Sequence, residues 1–559
     1  MFHSNKILAQ QVVLAVKENG VKNVVISPGS RNAPLIIEWN AYPEIQKFSI
    51  VDERSAAFFA LGMALNTGEP VALICTSGSA LLNYYPAIAE AFYSDIPLIV
   101  LSADRPKKLI DIGDGQTIRQ ENVFQNHVWF NANLKEQNPD VNIEILKEAF
   151  AIFNKKKAPI HINIPFSEPL YETTHDRLVL PDIWKKPENL QSLLMETPLE
   201  VDDLQMFANL WNNSTKKMLI VGVQAPDEML QIQLDHLAKD TSVIILTEAT
   251  SNVSNPLFIN HIDRMIFPLS DADFELLKPD ILLTIGGQVV SKKIKSLLRK
   301  NPPNHHWHVH KNWSLDTYHC LSKHFEVTST LFFSQFFFLT KENNSDYRDT
   351  FLALDRLRSD NHNRFFDKIP FSDLKVYQEI NKNFPKETNL IFSNSAAIRY
   401  AQFFTWIAPF VACNRGTSGI DGSISTAVGF AVSAPKPTLL ITGDLSFFYD
   451  SNALWNSYIP NSFRIIVVNN GGGGIFRFIP GPTTTNTLDF FETSHQLTAK
   501  NICDMHHIDY FSAADEIELE GIWKEFYSKN NRSKLLEIFT PKEENALVLK
   551  AYFNAMKES

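Results

Sequence analysis

The sequence predicts an α/β protein of three doubly wound parallel-sheet domains. Three observations predict it. At 559 residues the chain is longer than one hydrophobic core sustains, and three domains of about 180 residues fit it best. An apolar, β-branched run followed by a small polar cluster and then a helical pattern recurs along the chain. Two polar, linker-like stretches divide these recurrences into three groups of similar size.

In the first group the runs are "NVVISPGSRNAPL" (23–35), "FSIVDERSAAFFALGMAL" (48–65), "VALICTSGSALLNYYPAIAEAF" (71–92) and "IPLIVLSADRP" (96–106). Strands alternating with helices imply right-handed crossovers and a parallel sheet. The polar clusters then gather at the carboxyl edge, where open α/β sheets bind ligands. This group defines a first domain over 1–180. The stretch "YETTHDRLVLPDIWKKPENLQ" (171–191), rich in Pro and charge, reads as a linker. A central domain over 190–340 follows, with "KKMLIVGVQAP", "SVIILTEATSN" and "PDILLTIGGQVVSKK". A second polar stretch, "KENNSDYRDTF" (341–351), reads as another linker. The third domain, 355–559, carries "ETNLIFSNSAAIRYAQFF", "PFVACNRGTSGIDGSISTAVGFA", "PTLLITGDLSFFYD" and "FRIIVVNNGGGGIF".

Composition excludes several classes. No apolar stretch approaches the roughly 18 to 20 residues of a membrane span, and the first residues lack a signal-peptide pattern. Cys75, Cys320, Cys413 and Cys503 are scattered without metal-like spacing, as in a reduced, cytoplasmic protein. A formal net charge of −10 argues against bulk nucleic-acid affinity. Anionic ligands must therefore be held by local Arg and Lys.

The string "VVNNGGGGIF" (467–476) is the most specific feature. A buried-strand pattern ends in two asparagines and four glycines. Asp444, in "LLITGDLSFFYDSNALWNSYI", ends the preceding strand 26 residues before Asn470, with a helical stretch expected from Ser451 to Ile459. One βαβ crossover of that length sets a carboxylate and an amide oxygen side by side at one sheet edge. Such oxygens suit Mg²⁺ or Ca²⁺. The glycines let backbone carbonyls and N–H groups approach a metal or a phosphate. The alternative is a Gly-rich turn after a core strand.

The pairing of Gly443-Asp444 with Asn469-Asn470 resembles the diphosphate-binding motif of the thiamine-diphosphate (ThDP) enzymes, although Leu445 stands where that motif usually has Gly. The resemblance implies ThDP and a Mg²⁺ (or Mn²⁺) bound by Asp444, Asn470 and the Gly472 carbonyl. It also implies a glutamate that hydrogen-bonds the cofactor's aminopyrimidine, and Glu53 matches that position. Glu53 follows a strand read as buried and precedes a helix, where burial would favour a protonated carboxyl; alternatively, Asp52 and Glu53 only cap that helix. Ile420 matches the apolar wedge that bends the cofactor, and Ile475, Phe476 and Ile479 would form an apolar wall.

The finer strings "SPGSRNAPL", "DERSAAFFALGMA", "TSGSALLNYYPAIAEA", "SADRP", "GQTIRQ", "NRGTSGIDG" and "GDLSFFYDSNAL" are similar to one branch of that family. This branch decarboxylates 2-oxoglutarate and adds the remaining succinyl carbon 1,4 to isochorismate in menaquinone biosynthesis. The resemblance covers the whole chain in order and is thin in the middle third. It implies that Ser30, Arg31, Arg105 and Gln116 line the isochorismate side, that Lys292 and Lys293 form a basic pair, and that Ser395, Arg399 and Arg415 meet substrate carboxylates, which Arg binds bidentately. It further implies pyrimidine-binding, central and diphosphate-binding domains in chain order, and a homodimer or homotetramer with the cofactor between two chains. Another ThDP-dependent 2-oxoacid decarboxylase or carboligase is the alternative. A nucleotide-binding regulator is disfavoured by the absence of a GxxxxGK[ST] loop.

Overall fold

The computed structural model describes residues 2–178, 197–477 and 484–558. Among these residues it contains three all-parallel sheets and one short antiparallel pairing, His3–Ser4 with Thr173–Thr174. The first sheet runs Gln46–Ser49, Asn23–Ile26, Val71–Cys75, Leu98–Asp104, Ile160–Pro165, Asn131–Asn133. The middle sheet runs Val243–Leu246, Lys217–Val221, Ile281–Ile285, His305–Val309, Leu321–Phe325. The third runs Val411–Ala412, Asn389–Phe392, Thr438–Gly443, Arg464–Asn469, Lys534–Phe539, Asp509–Ala513.

All three sheets share one logic. The chain lays its second strand on one side of the first and its third strand on the other, so the winding reverses beside the first strand. That reversal opens a crevice at the carboxyl ends of the first and third strands. The central strands are covered by helices on both faces and read as continuous apolar runs. Every residue of Val71–Cys75, Leu98–Asp104 and Arg464–Asn469 is buried.

Two elements depart from the sequence reading. The strand before Glu53, Gln46–Ser49, is an edge strand in which only Phe48 is buried. The second linker ends in helix: Tyr347–Phe366 starts inside it, and Tyr347, Phe351 and Leu352 are buried. An apolar i, i+4, i+5 face hidden in a polar string produces that helix. Of the first linker, 179–191 lies outside the described residues.

The first and third units meet through two helices, Glu53–Thr67 and Ser423–Ser433. Glycine permits the contact. A methyl group at Gly62 would sit 2.0 Å from the Thr426 carbonyl oxygen, and one at Gly429 would sit 1.9 Å from that of Phe59. Backbone therefore packs directly on backbone. No helix among the described residues is long and apolar enough to cross a membrane.

Candidate active site

In the third sheet, Thr438–Gly443 pairs in parallel with Arg464–Asn469, and Gly443 lies opposite Val468. Asp444 and Asn470 therefore leave the sheet edge together. Asp444 itself opens the helix Asp444–Tyr449, earlier than expected; at Ser451–Leu454 there is only a 3-10 turn, and 455–459 is not helical. Asp444 is buried; Oδ1 accepts from Leu445 N at 2.6 Å and Oδ2 from Gly472 N at 2.9 Å. His495 Nε2 lies 3.3 Å from Oδ2. Burial raises the Asp444 pKa above its ordinary value, and the two amides and His495 only partly oppose this.

The two asparagines do different work. Asn469 ties the loop down: Nδ2 donates to Glu537 Oε1 (2.8 Å) and to Leu497 O (3.0 Å), and Oδ1 accepts from Gly471 N (3.0 Å). Asn470 faces the crevice. Its Nδ2 donates to Asp373 Oδ2 at 2.9 Å, and its buried Oδ1 has no hydrogen-bond partner among the described residues. Gly472 has φ +146°, and a methyl there would lie 2.6 Å from Glu492 O, so the loop requires glycine at this point. Its carbonyl accepts from Gly474 N at 3.0 Å and keeps a second lone pair.

These groups share a cavity of about 180 Å³ with Ser395, Ile420, Ile475 and Phe476. Every residue lining it comes from the third unit. Ile479 lies outside the described residues.

Two arginines crowd the neighbouring edge. Ser395 precedes the helix Ala396–Ala401 with a left-handed φ of +67°, a strained conformation for a non-glycine residue. Arg399 Nη1 donates back to Ser395 O at 3.0 Å, and Arg415 Nη1 donates to Asn394 Oδ1 at 2.8 Å. Burial, and then the Arg415 charge, push the Arg399 pKa down. Two half-buried guanidinium groups that disfavour each other are suited to an added anion.

The Arg415 loop is held from both other units, through residues that the sequence did not single out. Glu90, in the first unit and 1% exposed, accepts from Gly416 N (2.7 Å), Thr417 N (2.6 Å) and Thr417 Oγ1 (2.8 Å). Gln288, in the middle unit, donates to Gly416 O at 2.8 Å. Glu90 sits within an apolar helix, "AIAEAF", and an unexplained acid in such a helix was the available signal. Lys292 and Lys293 begin the helix Lys292–Lys300, whose preceding backbone is gripped by buried Glu248 through Val290 N (2.7 Å) and Ser291 N (2.8 Å). Burial pushes Glu248 up to about 7. Burial raises the Asp263 pKa, and the Ser291 hydroxyl and then the charges of Arg399, Lys293 and Lys295 oppose the rise. Lys295 is a basic neighbour missed in the sequence.

In the first unit, Arg31 is 5% exposed; its Nη1 donates to Phe166 O at 2.8 Å and its Nη2 pairs with Glu168 at 3.0 Å. Arg105 directly follows its strand and is only loosely paired, 3.7 Å from Asp114. The Nε atoms of Arg31, Arg105 and Arg415 are all buried without a hydrogen-bond partner among the described residues. Ser30 and Gln116 are exposed. A buried network fixes the base of the loop carrying Arg105 and Gln116. In it, Ser102 Oγ bonds His161 Nε2 (2.7 Å), Asn163 Nδ2 donates to Asp104 Oδ2 (2.9 Å), and Gln120 Nε2 donates to Asn163 Oδ1 (3.0 Å). Burial holds His161 down at about 3, so it stays neutral.

Glu53 is half-exposed in the chain, not buried as the sequence reading had it, because its strand lies at the sheet edge. Asp52 is the helix cap, accepting from Ser55 N at 3.1 Å. Asp52 and Arg54 are both tied to the third unit, through Asn452 Nδ2 (2.8 Å) and Tyr449 O (2.9 Å). Among the described residues the Glu53 carboxylate is left with a single long contact, 3.5 Å from Asn83 Nδ2. Neither Glu53, the first-unit cations nor the Lys292–Lys293 pair line the Asp444 cavity.

The donor set fits a hard cation carrying a diphosphate: a buried carboxylate, a buried amide oxygen without a partner and a glycine carbonyl, beside a glycine loop. Residues 7–132 match the family described as the N-terminal TPP binding domain of thiamine pyrophosphate enzymes, and residues 184–392 match the middle domain of thiamine pyrophosphate. Fold and site define a thiamine-pyrophosphate enzyme. The chain is 49% identical to the 2-succinyl-5-enolpyruvyl-6-hydroxy-3-cyclohexene-1-carboxylate (SEPHCHC) synthase of Flavobacterium psychrophilum over 98% of both chains. It is 50% identical to that of Christiangramia forsetii over 100% of both, and 37% identical to that of Porphyromonas gingivalis over 96% of this chain and 94% of the relative. The chain belongs to the SEPHCHC synthase family.

Proposed function

We propose that the chain decarboxylates 2-oxoglutarate and joins the remaining succinyl carbon to isochorismate, giving SEPHCHC and CO₂ in menaquinone biosynthesis. The observation that carries this reading is the pair Arg399 and Arg415, bonded to Ser395 O and Asn394 Oδ1; Asn394 and Ser395 line the Asp444–Asn470 cavity, and the two arginines stand behind them. A dicarboxylate donor needs such cations beside the reacting centre. The direct test is CO₂ release and product formation from 2-oxoglutarate plus isochorismate, with and without ThDP and Mg²⁺. Activity requiring all four supports the reading; turnover of another 2-oxoacid in place of 2-oxoglutarate would replace it with a different carboligase.

ThDP, when bound, supplies the electron sink for decarboxylation and carboligation. The chain's own residues supply the rest. Asp444, Asn470 and the Gly472 carbonyl would hold Mg²⁺ (or Mn²⁺) at the diphosphate. Ile420 and Ile475 would shape the apolar floor. Glu53 would hold a proton at N1′ of the aminopyrimidine. Since Glu53 lies outside the cavity of its own chain, this reading makes the enzyme a homodimer or homotetramer in which one chain's Glu53 serves the partner's Asp444 site. The three units correspond to pyrimidine-binding (1–180), central (190–340) and diphosphate-binding (355–559) domains of a cytoplasmic enzyme.

The cations divide the two substrates. Arg399, Arg415 and Ser395 serve the donor; Arg31, Arg105, Ser30 and Gln116 serve isochorismate, with Lys292 and Lys293 as further positive charge. Arg105→Ala is expected to slow carboligation about ten- to a hundredfold, the worth of one charge-assisted hydrogen bond, while 2-oxoglutarate still loses CO₂. Arg399→Ala should fail at CO₂ loss. Single-turnover measurement of CO₂ before and after isochorismate addition separates the two, and the opposite pattern would reverse the assignment. Arg105 suits the test better than Arg31, whose removal strips the donor from Phe166 O.

A further inference from the structure

Asn470 can meet a cation only through Oδ1, and a free amide has no reason to present oxygen rather than NH₂. We infer that Asp373 is a positioning residue that fixes this choice. The inference rests on the reading of Asn470 as a metal ligand and adds a residue to it.

Asp373 comes from a distant part of the chain, the first residue of the helix Asp373–Asn383, and is 2% exposed at the cavity wall. It is itself immobilised. Its Oδ1 accepts from Thr540 Oγ1 at 2.6 Å, and its backbone N donates to Asn545 Oδ1 at 2.8 Å. Its Oδ2 accepts from Asn470 Nδ2 at 2.9 Å. An ionised carboxylate only accepts hydrogen bonds, so it can face only the NH₂ of Asn470. Oδ1 is thereby turned the other way, where it is buried without a partner among the described residues. An unsatisfied buried carbonyl is costly, and a cation removes that cost. Asp373 thus plays toward Asn470 the part that outer-shell carboxylates play toward metal-bound histidines: it sets the orientation of a ligand it does not replace.

The polarity of the pair makes the idea testable. Asp373→Asn keeps shape and volume, but its amide can donate as well as accept. Asn470 is then free to turn its NH₂ to the cavity. ThDP affinity at limiting Mg²⁺, measured calorimetrically on the full-length enzyme, is expected to fall about tenfold or more, in line with the loss of an outer-shell ligand partner, with the melting temperature of the metal-free protein nearly unchanged. Reversing the pair in Asn470→Asp/Asp373→Asn restores one donor facing one carboxylate and points a carboxylate oxygen at the metal. That double variant should recover most of the lost affinity. A merely structural Asp373 predicts no such recovery. If Asp373→Asn fails to fold, Thr540→Val, which frees the carboxylate without touching Asn470, should weaken Mg²⁺-dependent ThDP binding several-fold. Unchanged affinity in Asp373→Asn, or a double variant no better than the singles, overturns the inference. Asn470→Ala separates the two levels: if it binds ThDP and Mg²⁺ like the parent, the metal assignment fails and takes the inference with it. If it loses binding while Asp373→Asn does not, only the inference falls.

Discussion

Glu53→Gln should bind ThDP within a few-fold of the parent enzyme, yet slow proton exchange at thiazolium C2 by roughly two to four orders of magnitude, the usual worth of a positioned acid or base. The amide can still meet N1′ but cannot pass a proton to it. Folding should be unaffected, because the Glu53 carboxylate makes only a 3.5 Å contact with Asn83, whereas its neighbours Asp52 and Arg54 carry the structural bonds. Quenched-flow hydrogen/deuterium exchange at C2, read by NMR, measures the effect directly. An exchange rate equal to the parent's would remove Glu53 from the mechanism. The same substitution probes assembly. Mixed oligomers of Glu53→Gln and Asp444→Ala chains should regain activity, since some sites would then combine an intact Glu53 with an intact Asp444.

Asp444→Ala should abolish ThDP retention. Asp444 is the sole carboxylate of the proposed ligand set, and its loss also releases Gly472 N, so the glycine loop loses an anchor. The remaining amide and carbonyl oxygens cannot replace metal-bound water effectively. Thermal melting gives a clean readout. Saturating ThDP and Mg²⁺ at a hundred times the dissociation constant stabilises a binding-competent fold by about 2.7 kcal/mol. The parent melting point should therefore rise on addition, whereas that of the variant should stay where it was. A full ligand-induced shift in the variant would show that Asp444 is not a metal ligand.

Most of the architecture was legible because parallel sheets write themselves plainly. Val71–Cys75 and Arg464–Asn469 are apolar runs that end in polar clusters, and the 26-residue spacing from Asp444 to Asn470 leaves room for one crossover. What the sequence hid depends on tertiary partners. Glu53 looked buried because its flanking string is apolar, but the strand lies at the sheet edge. The start of the helix Tyr347–Phe366 looked like linker because its buried face is only a few residues wide in a charged string. Asp373 lies 97 residues before Asn470, and Glu90 lies 326 before Gly416. The acid of Glu90 inside an apolar helix hints at a partner but does not say which, and no local pattern announces Asp373, since each acts on a loop reached only through the fold.

The glycine-to-backbone contact between Glu53–Thr67 and Ser423–Ser433 has a mechanical consequence. Side chains at a helix interface can change rotamer and let two bodies slide, but two backbones in contact cannot yield in that way. Glu53 opens the first of these helices and Ile420 lies three residues before the second, so in the proposed assembly this stiff frame ties the Glu53 that serves one site to the Ile420 of the other. A displacement of either residue is therefore passed through the frame to the other site.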